Sequence, residues 1–298
     1  MKLKTGWGDK LFIAGNYFIV TVFAFFCFLP FYVLLISSVT DKQVLQLDGY
    51  QLWPRKFSLE AYQWVLKGKQ VLVGYQVSMF VTVVGTLLSV ALMCGLAYAL
   101  SVRKFKWRTQ LAFYVYFTMI FSGGLIPWFI TCRTIGLYDN IWALIVPMLM
   151  NPWWVFILRN YFNSLPIEVV ESAVIDGASD WTILSRIILP LSTPVLATTA
   201  LFVAVAYWND WWHGVILLDF VDFRPLQVLI LRIINSIRAI RQAMQAEGGN
   251  SLALSSAQIP DKSIRMAIVV ITIGPIVLLY PFAQRYFIRG LTVGSIKG

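Results

Sequence analysis

Between Val169 and Pro190 the chain reads VVESAVIDGASDWTILSRIILP, which sets Glu171, Asp176, Asp180 and Arg186 around Gly177 in a chain otherwise dominated by apolar and aromatic residues. Carboxylates so placed can do acid–base work, hold a cation or face a basic partner. Metal or hydrolytic chemistry has little to draw on, because the sequence holds one histidine, His213, and no His/Cys/Glu cluster. Cys27, Cys94 and Cys132 lie far apart without metal-ligand or redox spacing, and read as packing residues. A second polar group, Tyr207-Trp208-Asn209-Asp210-Trp211-Trp212-His213, interleaves aromatic rings with an amide and a carboxylate. An ionisable residue beside a long apolar run is a functional candidate by default. Trp and Tyr also gather at headgroup depth for interfacial reasons alone, so an aromatic belt with a solvated acid fits the same residues.

The segment over 165–190 predicts two short helices joined at a glycine. Pro166 with Glu168 in the first turn is a helix start, since proline is pre-set for that turn and an acid favours the positive end of the dipole. Gly177 interrupts the pattern, Ser179 or Asp180 caps a second helix, and Pro190 marks the break into the next apolar run. Val170, Val174, Leu184, Ile187 and Ile188 recur at helical spacing, which puts one face against a bundle while the acids face water. An amphipathic connector lying in the membrane interface would show the same apolar face. It would not need a glycine break with projecting acids, whereas a helix-turn-helix knob entering a cleft on a soluble partner would.

The elements that carry these residues are membrane spans. Of the 298 residues 59% are hydrophobic and 13% charged, about half the charge of a soluble domain. Runs long enough to cross a hydrocarbon core of about 30 Å lie near 12–39, 71–100, 111–131, 141–160, 190–217 and 264–288. All are expected to be helices, because lipid offers backbone groups no partners. The first run is too long for a signal-peptide core and lacks a cleavage pattern, so it reads as a retained span. Gly85, Ser89, Ala91, Gly95 and Ala97 in the second run, and Ala197 to Ala200 in the fifth, let helices approach closely and place both runs in the bundle interior.

The net charge of +10 is that of basic clusters flanking spans, and no recognition motif turns it toward nucleic acid. Lys and Arg divide evenly between alternate loops. Their density does not, because Arg103, Lys104, Lys106 and Arg108 crowd one short loop without an acid. That loop and both termini are then expected inside, with 40–70 and 218–263 outside. Of the remaining candidates, Trp153, Trp154 and Arg159 fit interfacial anchoring better than a path lining. Gly123-Gly124 before Pro127 fits a packing kink better than a gate. The helical stretch around Arg232, Arg238 and Arg241 suits a solvated surface or a partner equally.

The spacing Glu171-Ser172-Ala173, three residues, Gly177, nine residues, Ile187, one residue, Leu189-Pro190 resembles the EAA motif of binding-protein-dependent ABC importer permeases. Ser172 stands where that family usually has alanine. DGAS before Trp181, LPLSTP from Leu189, and YWNDWW from Tyr207 resemble the carbohydrate-uptake branch. GGLIPWFI, GLYDNIWALIVP and the ending RYFIRGLTVGSIKG resemble its oligosaccharide subgroup. The resemblance implies a single all-α permease domain with six transmembrane helices, the type I importer fold, and a cytoplasmic coupling helix built from Glu171, Ser172, Ala173, Asp176, Gly177, Ile187, Leu189 and Pro190.

It also implies a bacterial plasma-membrane location and a second homologous permease. Two cytoplasmic ATPase subunits would bind ATP and Mg, an extracellular binding protein would deliver a sugar, and this chain would hold no cofactor and catalyse nothing. No GxxxxGK[ST] loop is present to hold phosphates. For sugars, with apolar C–H faces and many hydroxyls, Tyr207, Trp208, Asn209, Asp210 and Trp211 would suit a translocation path. An amino-acid or peptide permease shares the motif. A stand-alone secondary transporter would place charges within its spans and show repeated halves, and neither is evident.

Overall fold

The computed structural model describes residues 6–246 and 262–277, and among these it is helical, with one isolated antiparallel bridge between Thr40 and Phe57. The described chain forms two compact units. One comprises the residues up to Lys69 with 233–246 and 262–273, the other residues 70–232 and 274–277.

In the first unit, α1 (Trp7–Ser38) is an unbroken apolar helix containing Pro30. At about 1.5 Å per residue its 32 residues are ample for a bilayer. Its rings, among them Phe12, Phe18, Phe23, Phe25 and Phe26, are exposed, and within α1 burial is confined to Ser37 and Ser38 at its end. Such a surface is stable against hydrocarbon and not against water.

The segment after α1 is held by polar contacts. Asp41 caps α2 (Lys42–Leu47) by accepting from the Gln43 N–H at 3.0 Å, and its other oxygen pairs with Lys56 at 3.0 Å. The Asp41 and Ser58 N–H groups donate to Lys56 and Val39 carbonyls, and the Tyr32 hydroxyl donates to the Leu52 carbonyl. α3 (Glu60–Lys67) returns to α1 through a 2.7 Å bond between the Tyr62 and Ser38 hydroxyls.

The second unit opens with α4 (Lys69–Ser101), the other unbroken helix of spanning length. Where one continuous helix was expected over 111–131, the chain forms α5 (Arg108–Ile120) and α6 (Leu125–Thr134), inclined at 120° across a break at Gly124, whose φ is +86°. The Gly-Gly pair thus turns the chain back, which exceeds a packing kink. A hydropathy run records length and apolarity and is blind to direction. The expected span over 141–160 is a pair of short 3-10 turns (Ile141–Leu144 and Val146–Met148) followed at 48° by α7 (Pro152–Ser164).

After α8 (Ile167–Ile175) and α9 (Asp180–Ile183) comes a wide π-type turn over Leu184–Ile188, then α10 (Leu189–Leu191). At Ser192 the chain bends by 83° into α11 (Thr193–Trp208). α12 (Trp212–Leu217) ends the run expected over 190–217, so that run too is broken. α13 (Leu226–Ala246) and α14 (262–277) complete the described chain. Two unbroken helices and three bent pairs account for up to five spans among the described residues. The run expected over 264–288 extends beyond them.

The core of this unit is apolar. Met93, Ala97 and Leu100 of α4, Leu158 of α7, and Ile145 are fully buried, with Leu184 and Ile188 joining them from the π-type turn. Of the small residues expected inside, Gly85, Ser89, Ala97 and Thr199 are buried and Ala197, Thr198 and Ala200 half-buried, whereas Ala91 and Gly95 lie on the outer face of α4 and are exposed. Of the cysteines read as packing residues, Cys94 and Cys132 are buried and Cys27 is exposed.

Candidate functional site

The polar stretch forms the helix–glycine–helix that its sequence implies. α8 begins after Pro166 with Glu168 in its first turn, and Ser179 caps α9 by accepting from the Thr182 N–H. Between them Gly177 has φ +79°, a left-handed conformation that costs a side-chain-bearing residue about 1 kcal/mol or more. The Ala178 N–H donates to the Ala173 carbonyl at 2.9 Å and the Gly177 N–H to the Val174 carbonyl at 3.1 Å, the paired bonds of a Schellman cap. The four-residue spacing from Ala173 to Gly177 is therefore the spacing of a helix terminator. Ala173 and Ala178, which flank that turn, both pack against the core.

Ser172 spends its hydroxyl within its own helix, donating to the Glu168 carbonyl at 2.8 Å, so it replaces alanine without an unpaired group. Glu171 and Asp176 are exposed, and neither is drawn into an ion pair among the described residues. Ile175 and Trp181, 85% and 75% exposed, stand beside them. Val174, expected against the bundle, is exposed as well, while Val170, Leu184 and Ile188 pack inward as expected. Leu189 packs on the core, Ile187 is half-buried and Pro190 is exposed at the bend into α11. Asp180 accepts from the Tyr98 hydroxyl at 3.2 Å, tying the start of α9 to the end of α4. The result is a two-faced knob. Its inner face is fixed to the bundle and its outer face carries unpaired acids and large apolar side chains.

The second cluster divides. Tyr207 and Trp208 are each 4% exposed. The Tyr207 hydroxyl donates to the Ile145 carbonyl at 2.9 Å and, its one hydrogen so spent, accepts from the Ser89 hydroxyl at 3.0 Å, and Trp208 packs edge-on against Tyr75. Both are buried in contacts within this chain.

Asp210 accepts from the His213 backbone N–H and, because a carboxylate can only accept, from His213 Nδ1–H at 2.9 Å. The imidazole packs edge-on against Trp128 and Trp212, which also contact each other, so the three rings form a triad. Asn209 and Trp211 are exposed, Asn209 accepting from the Gln227 amide at 3.4 Å.

A further relationship escaped sequence reading. Asp139 is a non-glycine residue at φ +55°, and its Oδ1 accepts from the backbone N–H groups of Asp219, Phe220 and Val221, each at 3.1 Å. Asn140 beside it caps the first 3-10 turn through the Trp142 and Ala143 N–H groups. The Asp-Asn pair signals a cap in the sequence. Its partner loop eighty residues away does not show there.

The chain matches the family described as binding-protein-dependent transport system inner membrane component over residues 5–293. It is 38% identical over 290 residues to a polygalacturonan/rhamnogalacturonan transport system permease protein of Bacillus subtilis, covering 97% of this chain and 99% of that one. An arabinooligosaccharides transport system permease protein of Halalkalibacterium halodurans is 29% identical, covering 88% and 84%. Among solved structures, a chain of a bacterial ABC transporter involved in the import of the acidic polysaccharide alginate superposes with a TM-score of 0.81 at 29% identity, over 96% of this chain and all of that one. On the match of its sequence along nearly its whole length, this chain belongs to the binding-protein-dependent transport system inner membrane components.

Proposed function

We propose that this chain is one membrane-spanning subunit of an ATP-driven importer of oligosaccharides or polysaccharide fragments. The knob formed by α8, Gly177 and α9 is its coupling helix. The observation that carries this reading is the two-faced character of the knob: Ala173, Ala178 and Leu184 seat it on the bundle, while Glu171, Asp176, Ile175 and Trp181 are presented outward. Unpaired acids flanked by exposed large apolar side chains are the surface a soluble partner would cover. The sugar class rests on relatives whose names specify polygalacturonan, rhamnogalacturonan and arabinooligosaccharides.

The assembly then has two permeases, this chain and a homologous partner, in the bacterial plasma membrane. Two cytoplasmic ATPases bind ATP and Mg and dock on the knobs, and an external binding protein delivers the sugar. Each permease crosses six times with both termini inside, a count that takes each bent pair as one broken crossing. Closure of the ATPases moves the knob, and the bend at Ser192 carries that motion into α11. Within the path, Asn209 and Trp211 are the exposed residues that meet a sugar, an amide with one N–H and one lone pair left beside its bonds to Val205 and Gln227, and an indole face to stack.

The test is purification of the tagged chain in mild detergent, identification of co-purifying subunits, and uptake of labelled oligogalacturonides by proteoliposomes of the complex. A co-purifying ATPase and second permease with ATP-dependent uptake is the expected result. Isolation of this chain alone, from a complex stable by other criteria, defeats the coupling assignment.

A further inference from the structure

α5 and α7 pack against each other, and each turns a stripe of side chains toward the core. On α5 the stripe is Arg108, Leu111, Ala112 and Val115, at the i, i+3, i+4, i+7 spacing of one helix face. On α7 it is Val155, Leu158, Arg159 and Phe162. Both arginines are half-buried and stand on the inward stripes.

Neither guanidinium forms an ion pair or hydrogen bond among the described residues, and Arg159 Nε is shut off from solvent without a partner. The Phe156 ring, 6.0 Å from the guanidinium carbon, supplies a weak cation–π contact. A cation at the start of α5 also opposes the helix dipole, and neither an acid in the first turn nor a side-chain cap relieves it. Two half-buried arginines on the inward stripes of two packed helices, without a counter-ion among the described residues, call for an anion from outside the chain.

We infer that Arg108 and Arg159 form a binding site for the phosphate of an anionic phospholipid. Guanidinium forks take a phosphate by paired hydrogen bonds, and two of them can share it. The surroundings are those of a headgroup. Arg103, Lys104 and Lys106 lie in the same short loop, and Trp107, 61% exposed, stands next to Arg108 as an interfacial anchor. Beyond it the other faces of α5 expose Phe113, Tyr114 and Phe117, which acyl chains would cover. The lipid thereby neutralises a repulsion that otherwise pushes α5 and α7 apart, whatever solute the transporter carries.

The full chain, purified in its complex, is reconstituted in phosphatidylcholine nanodiscs with and without phosphatidylglycerol, and lipid retained after detergent washing is counted by native mass spectrometry. Wild type is expected to retain phosphatidylglycerol, and each of R108Q and R159Q to retain it about fivefold more weakly. The double variant loses it. Replacing Arg103, Lys104 and Lys106 together by glutamine leaves the tightly held lipid in place. The pair R108K/R159K, which keeps charge but loses the paired hydrogen bonds, falls between. Equal retention by wild type and double variant overturns the proposal. So does a thermal stabilisation by inorganic phosphate in phosphatidylcholine alone that matches phosphatidylglycerol, since a soluble anion then fills the site. The double variant sheds unpaired like charges, so its folding is not in jeopardy, and gel filtration of the complex confirms it.

Discussion

The Tyr207 ring occupies the space that a Cβ on Gly85 would need, with ring carbons 2.6 to 2.9 Å from where that atom would stand. α4 and α11 thus meet through the absence of one side chain and the full width of another. The contact is completed by the Tyr207 hydroxyl, bonded to Ser89 on one side and the Ile145 carbonyl on the other.

Gly85→Ala forces the ring aside, at an overpacking cost of about 1–3 kcal/mol. Tyr207→Phe keeps the shape and deletes the hydroxyl, for about 1 kcal/mol. Thermal unfolding of the detergent-solubilised complex should rank wild type above Tyr207→Phe and Tyr207→Phe above Gly85→Ala. A Gly85→Ala protein as stable as wild type would show that the two helices do not touch there.

Gly177→Val places a β-branched residue at φ +79°, so the Schellman cap re-forms poorly and α8 and α9 lose their relative angle. Membrane insertion should be unchanged while substrate-stimulated ATP hydrolysis by the complex falls at least about tenfold, the rate equivalent of about 1.4 kcal/mol in coupling. Gly177→Asn, which tolerates the left-handed region, should recover most of it. Full hydrolysis by the valine variant would remove the coupling role from this turn.

Asp139→Ala frees three backbone N–H groups at once and removes the side chain that tolerates φ +55°. A loss of about 2–3 kcal/mol is expected: each hydrogen bond to a charged acceptor is worth about 1.5–3 kcal/mol, but at this exposed site the freed N–H groups turn to water and most of the sum is recovered. Asp139→Asn retains one oxygen acceptor and should lose less. Protease sensitivity around 217–223 is the readout, and equal resistance of the alanine variant would refute the clamp.

The Lys56 ammonium bonded to Asp41, with help from the Gln43 N–H, holds the Asp41 carboxyl below the ordinary aspartate range. A carboxyl depressed in the folded state stabilises it above the unfolded value and ceases to do so as pH falls through the folded one. The segment 39–58 should therefore keep its hydrogen-exchange protection from neutral pH down to about pH 4 and lose it below. Lys56→Gln should move that loss to higher pH. An unshifted profile would mean that Lys56 does not set it.

Trp208→Ala should lower the amount of folded protein and leave uptake per complex largely intact, because the indole is buried against Tyr75. Trp211→Ala and Asn209→Ala should do the reverse. Uptake per complex unaffected by both exposed substitutions would take them out of the path.

What could be read from the sequence was whatever depends on local order. The knob was legible down to its terminator, because Pro166, Gly177 and Ser179 each act on the backbone within a turn of themselves. The interior role of Gly85 and Ser89 was legible from small size in an apolar run, but Ala91 and Gly95, equally small, are exposed, because composition does not say which face of α4 turns inward. Direction was not: Gly123-Gly124 reads the same whether the chain kinks or reverses by 120°, and the answer depends on what α5 and α6 pack against. Nor were the separate fates of Tyr207 and Trp211, four residues apart in one aromatic cluster, since α11 has ended between them and the helical period no longer relates their faces. The reach of Asp139 to 219–221 is a tertiary fact with no local signature.

The near-right-angle elbow at Ser192 makes α9 to α11 a bell crank. α11 is 16 residues long, about 24 Å, so a rotation of about 5° at the elbow sweeps its Trp208 end through about 2 Å. That end is not free to sweep alone, because Tyr207 is bolted to Ser89 of α4 and to the Ile145 carbonyl. A push on the short arm must carry α4 and the 3-10 turns as one stiff block, or shear the Gly85–Tyr207 joint. If the knob couples as proposed, the stiffness of that joint, with the Trp208–Tyr75 contact beside it, would set how much of the stroke is delivered and how much is lost as slack.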